Sequence, residues 1–82
     1  MKQKVFAIIA DYFKLTSEHI IKRSCSCVKT TEDYDNGGFN NINVGNTFST
    51  KDSADAQVKI LEQYAESKGD VETFFTVEEF EL

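Results

Sequence analysis

Residues 3–14 read QKVFAIIADYFK, and the fold turns on how they are read. Val5, Ile8, Ile9, Tyr12 and Phe13 recur at steps of three and four, which places them on one face of a helix. The spacing therefore predicts a helix over residues 3–14. Its apolar run, residues 5–10, stops at Asp11. That run is too short for a signal-peptide core and far too short to span a membrane.

Working outward, Thr16 suits an N-cap, and residues 17–23 read as a second short helix with Ile20 and Ile21 inward. Lys22 and Arg23 close it, where cations suit the negative end of the helix dipole. Residues 25–34 are rich in Cys, Val, Thr and Tyr and favour a strand. Asp35, Asn36, Gly37 and Gly38 form a turn signal. Beyond it, Ile42, Val44 and Phe48 alternate with Asn41, Asn43 and Thr47, the period of a half-buried strand. A β-hairpin spanning residues 25–48 is expected.

Thr50 caps the next helix, expected over residues 51–68, with Asp52 in its first turn. Ala54, Val58, Leu61 and Ala65 make its apolar stripe, Tyr64 broadens it, and Gly69 ends it. Val71, Thr73, Phe75 and Val77 alternate as in a strand, and although Thr76 and Glu79 could instead open a short helix, the richness in Val, Thr and Phe favours a strand over residues 71–77. The expected fold class is α+β. It comprises two N-terminal helices, a β-hairpin, a long amphipathic helix and a C-terminal strand, in a single domain over residues 1–82 with a small antiparallel sheet.

Composition bounds the function. At 82 residues the chain buries only about 60–65% of its unfolded surface. It is 40% apolar, with seven Phe and three Tyr to fill a core. Charge is divided unevenly. Residues 1–29 carry six bases against two acids, net +4, whereas residues 30–82 carry three bases against twelve acids, net −9. An acidic surface attracts basic partners and repels phosphate.

Catalytic signals are weak. His19 is the sole histidine. Cys25 and Cys27 add two soft ligands, but a structural zinc site needs four in recognisable pairs. The one-residue gap is also too tight for a useful disulfide, so both thiols are expected reduced, in a cytoplasmic protein. Ser49, Thr50 and Ser53 have no base nearby in sequence. Asn36, Gly37 and Gly38 lack the lysine and the strand–loop–helix setting of a phosphate loop. No catalytic residue, metal site or cofactor is expected, and the chain reads as a non-enzyme.

Two surfaces remain. Lys22, Arg23 and Lys29 are the candidate nucleic-acid contacts. Glu72, Glu78, Glu79, Phe80 and Glu81 are the candidate surface for a protein partner.

Residues 5–24, VFAIIADYFKLTSEHIIKRS, resemble the opening of the C-terminal DNA-binding domain of the replication initiator DnaA family. The resemblance implies two helices followed by a basic loop that approaches the DNA backbone and minor groove, with Lys22 and Arg23 at its start. Cys25 and Cys27 stand where further bases would follow, and the later recognition helix has no counterpart. Residues 44–54, VGNTFSTKDSA, resemble a strand-to-helix junction of small proteins of phages and mobile elements. The first helix with Leu15 and Glu18 is also similar to the start of an acyl carrier protein, with Asp52 and Ser53 echoing its phosphopantetheine site. Ala54 stands where that site has Leu. The leading expectation is a small acidic, non-enzymatic factor, regulatory or inhibitory, of phage or mobile-element type. It binds a protein with a basic surface, and the alternative is a DNA-binding module related to the initiator domain.

Overall fold

The computed structural model describes the backbone of residues 2–15, 21–70 and 72–82, and their side chains except at 12–15 and 21–25. It holds β1 (Lys4–Leu15), β2 (Ile21–Val28), α1 (Thr31–Asp35), α2 (Lys51–Ser67) and β3 (Thr73–Glu81), with a 3-10 turn at Val44–Asn46. The sheet is antiparallel throughout, in the order β2-β1-β3. The class is α+β, as the sequence predicts, but the N-terminal half is built differently.

Residues 4–15 are a strand, not a helix. The reason is location. β1 is the central strand, paired with β2 from Ile8↔Val28 to Leu15↔Ile21 and with β3 from Lys4↔Glu81 to Tyr12↔Thr73. Ile8 and Ala10 face α2 and are fully buried, while Val5 and Ala7, on the opposite face, are buried as well. A strand covered on both faces loses its alternation and reads as an unbroken apolar run, which periodicity alone cannot separate from a helix. The content of Val, Ile, Phe and Tyr decides for the strand.

The expected second helix, residues 17–23, is also corrected in part. Residues 21–23 belong to β2, and residues 17–20 lie outside the described residues. The helices implied by the initiator resemblance are thus absent from residues 4–15 and 21–23. The hairpin pairing falls between β1 and β2 rather than across residues 25–48.

Within residues 25–48 only the end of β2 is regular strand. Residues 31–35 form a one-turn helix because Thr30 and Asp33 make a reciprocal cap. The Asp33 amide donates to Thr30 Oγ1 at 3.1 Å, and the Asp33 carboxylate accepts the Thr30 amide at 3.0 Å. Gly37 and Gly38 follow at φ of 89° and 77°, turning the chain back on β2. Phe39 then meets Cys27 in a single bridge, and Phe48 meets Phe6 in another. Between those bridges no strand forms, because the asparagines satisfy the loop themselves. The Asn43 and Asn46 amides each donate to the other's side-chain Oδ1, at 3.0 and 3.1 Å, and Asn46 Nδ2 donates to the Asn41 carbonyl at 3.0 Å. Side chains that bond the local backbone offer it an alternative to a sheet ladder.

α2 matches expectation closely. The Ser53 amide donates to Thr50 Oγ1 at 3.2 Å, and Gly69 ends the helix at φ 77°. Ala54, Leu61 and Ala65 are buried on its inner face. Ala54 and Leu61 join Ile8, Ala10 and Val28 in one core cluster, rimmed by Phe6, Tyr34, Phe48, Val58, Phe75 and Val77. β3 runs on to Glu81, so the short helix opened by Thr76 and Glu79 is not formed.

Candidate functional site

β3 carries the acidic candidates. It lies at the edge of the sheet, with β1 on one side. Among the described residues no segment pairs with its other side. Along it Phe75 and Val77 turn toward α2, while Phe74, Thr76 and Glu78 face the other way and are exposed. Phe74 is 57% exposed. Partly buried Phe80 and exposed Glu72, Glu78, Glu79 and Glu81 complete the surface.

The acids are not equivalent. β1 places Lys4 directly across from Glu81, and the lysines of its leading end reach over β3. Lys4 Nζ is 3.8 Å from Glu79, and Lys2 Nζ is 3.9 Å from Glu81. Both pairs are solvent-exposed and contribute little stability, but they partly neutralise two of the four glutamates. Among the described residues, Glu72 and Glu78 have no ion-pair partner.

The basic candidates are not gathered into one patch. Lys22 and Arg23 lie in the first half of β2, opposite Lys14 and Phe13 respectively. Lys29 follows the far end of the same strand, about 20 Å from Lys22 at a strand rise of about 3.3 Å per residue. There its Nζ sits 5.2 Å from the centre of the Phe48 ring, a cation–π contact. The strand separates them.

The remaining reactive groups are engaged structurally. Cys27 is buried, and its Sγ donates to the Asn46 carbonyl at 3.4 Å. Burial, and then the nearby Asp33 charge, push its thiol above the usual value, which disfavours the thiolate. His19 lies outside the described residues. Among the described residues no three His, Cys, Asp or Glu side chains converge as metal ligands. Ser49 and Ser53 line a cleft of about 310 Å³ at the head of α2 with Gln3, Lys29, Thr47 and Phe48. Among the described residues, no histidine or carboxylate lines that cleft to activate either hydroxyl.

Sequence reasoning missed two features near β3. One is a groove of about 560 Å³ between α2 and the outer edge of β3, lined by Val58, Phe75 and Val77 below and by Lys51, Asp55 and Lys59 above. The other is a clasp at the start of β3. Asp70 accepts hydrogen bonds from Thr73 Oγ1 at 2.5 Å, from the Glu72 and Thr73 amides at 2.9 and 3.1 Å, and from the Tyr34 hydroxyl. The Asp-x-x-Thr spacing at residues 70–73 was the available signal for that turn.

No family model matches the chain, and no curated protein and no solved structure is similar enough to count as a match.

Proposed function

We propose that this protein is a non-enzymatic binding factor, regulatory or inhibitory, that docks its acidic half on a basic surface of another protein. The observation that carries the reading is the exposure of Glu72 and Glu78 beside the exposed Phe74 ring on an edge strand. Uncompensated charge steers a basic partner, and an aromatic ring at the same place supplies apolar contact. The net −9 of residues 30–82 points the same way. The resemblance at residues 44–54 lends its support to a phage or mobile-element type through its helix half alone, since the Thr50 cap and α2 are formed while residues 44–46 are a 3-10 turn and not the expected strand.

The test is capture of partners from a bacterial lysate on immobilised protein, with salt as the variable. A partner with a basic surface is expected to be retained at low salt and released steeply as salt rises. Glu72→Lys with Glu78→Lys is expected to abolish retention. Recovery of no partner, or equal recovery on the charge-reversed variant, defeats the proposal. A fluorescence-anisotropy titration with duplex DNA in about 50 mM salt supplies the opposing arm. Saturable binding there, lost on Lys22→Glu with Arg23→Glu, would transfer the function to nucleic acid.

A further inference from the structure

The outer edge of β3 is nine residues long, alternate residues from Thr73 to Glu81 turn their backbone groups outward without a partner among the described residues, and no proline stands in the whole chain to interrupt it. Natural edges are usually blunted by proline, by charged side chains, by a bulge or by a covering segment, because a bare edge templates another strand, and of these devices β3 carries only the charges of Glu78, Glu79 and Glu81. Here none of the described residues covers it. We propose that the occupant is a second copy of this chain, paired antiparallel through β3 to give a continuous six-stranded sheet in the order β2-β1-β3-β3-β1-β2.

The sequence of β3 is self-complementary in that arrangement. Thr73–Glu81 is centred on Val77, so a two-fold axis through Val77 overlaps the strand in full. Each Phe74 then lies opposite the Phe80 of the other copy, and each Thr76 opposite its Glu78. Phe75 faces Glu79, Thr73 faces Glu81, and the two Val77 residues meet on the axis. No acid faces an acid. Sliding the pairing by two residues toward the C-terminus would put Glu78 opposite Glu78, and like charges directly across a ladder destabilise it. The register of fullest overlap is therefore also free of that repulsion, and it sets each Phe74 ring beside a Phe80.

The helix layer gives independent support. An axis perpendicular to the sheet lays the two α2 helices antiparallel on the same face. The side of α2 bordering the β3 groove presents Lys51, Asp55, Lys59 and Glu62 in turn. Reversed against itself, this stripe sets Lys51 against Glu62 and Asp55 against Lys59, so every contact joins opposite charges. Val58, in the middle of the stripe, borders the same groove as Val77, which places both self-complementary centres together. An isologous interface requires this kind of self-matching surface. A basic strand added along this edge would match the acids of β3 but not Lys51 and Lys59, so the second copy is the better fit for the edge, while the face carrying Phe74 and Glu78 stays open to a basic partner.

Sedimentation equilibrium over a concentration series tests the proposal on the whole chain. The expected result is a reversible species of twice the 9.3 kDa chain mass. Thr76→Glu places like charges at two symmetric positions and should weaken dimerisation about tenfold. Thr76 is exposed, so the variant is expected to retain its circular dichroism and melting temperature. Adding Glu78→Lys to Thr76→Glu restores opposite charges across the axis and should restore the dimer. A chain that stays monomeric to near-millimolar concentration overturns the proposal. So does a dimer indifferent to Thr76→Glu, or one that the double variant fails to rescue, or an edge that pairs with a different polypeptide instead. Mass measurement on the pure protein needs no partner, so its failure is distinct from a failure of lysate capture.

Discussion

The Tyr34 hydroxyl on α1 donates to the Asp70 carboxylate, 36 residues further along the chain. Asp70 also holds Thr73 and Glu72, so one carboxylate joins α1, the end of α2 and the start of β3. Tyr34 stacks edge-on against Tyr64 and tilts against Phe75, with ring centres 5.9 Å apart in each case. Partial burial alone would raise the Asp70 carboxyl, but the donors from Thr73, Tyr34 and the Glu72 and Thr73 amides outweigh it and hold the group below its ordinary value. Asp70→Ala is expected to cost about 1–2 kcal/mol, the lower part of the range for charged hydrogen bonds because the carboxylate is partly solvated. Tyr34→Phe should cost about 1 kcal/mol. Urea denaturation measures both.

The same carboxylate sets part of the acid limb of stability. A lowered folded-state pKa means the contribution is complete above the unfolded value of about 4 and is lost as pH falls through the folded one. Asp35 acts on the same limb, lowered by hydrogen bonds from Lys68 at 2.8 Å and Tyr64 at 2.5 Å. Melting temperature should fall as the solution is acidified below about pH 4, and Asp70→Asn should make that fall shallower. An unchanged acid slope in the variant would count against the clasp.

Gly37 and Gly38 share a left-handed backbone but not the same surroundings. A Cβ on Gly37 would meet nothing within 4 Å, so Gly37→Ala carries only the conformational cost, about 1–2 kcal/mol. A Cβ on Gly38 would stand 2.5 Å from Ser26 Oγ and 3.0 Å from the Cys27 carbonyl oxygen. The backbone carbonyl cannot swing aside, and Phe39 depends on it for the bridge to β2. Gly38→Ala should therefore cost clearly more than Gly37→Ala, by about 1–3 kcal/mol from overpacking. Equal melting temperatures for the two variants would refute this placement of the turn.

These elements differ in how far the sequence exposes them. α2 was legible because its information is local, with a Thr50 cap, a one-sided stripe ending at Ala65 and Gly69 beyond it. The alternation of β3 was legible because one face of that strand is open to solvent. β1 was not, because Val5 and Ala7 are buried opposite Ile8 and Ala10, which erases the period. Residues 39–48 alternate like a strand, yet the alternating asparagines bond to the loop backbone and prevent one. The misreading of β1 and β2 carried into the candidate site. Lys22 and Arg23 were expected to close a helix and Lys29 to lie in the strand after it, whereas Lys22 and Arg23 belong to β2 and Lys29 follows its end. The strand expected over residues 71–77 runs instead over Thr73–Glu81, so Glu78, Glu79 and Glu81 stand within it rather than beyond its end.

Leu61 and Ile60 are adjacent on α2 and separate its two faces. Leu61 is fully buried in the core, whereas Ile60 is 51% exposed. Leu61→Ala should cost about 2–5 kcal/mol by lost burial and residual cavity. A chain of this length has only about 4–12 kcal/mol of stability in total, so that variant sits near the unfolding threshold. Ile60→Ala should cost under about 1 kcal/mol. Thermal melts of the pair check the orientation of the helix on the sheet.

Cys27 supplies the last prediction. Its thiol is buried, donates to the Asn46 carbonyl, and is raised by burial and by the Asp33 charge. The thiolate, which is the reactive form, is therefore both disfavoured and shielded. Reaction requires the segment carrying Asn46 to lift from β2. An opening free energy of about 3 kcal/mol would slow alkylation roughly a hundredfold relative to an exposed thiol. Measured in a Cys25→Ser background, so that one cysteine reports, iodoacetamide labelling at neutral pH is expected to be slow. Sub-denaturing urea should accelerate it. Asn46→Ala should accelerate it further, because it removes the side-chain bonds that hold the loop closed over Cys27. Rapid labelling of the native protein, at the rate of a small-molecule thiol, would show that the loop does not cover this face.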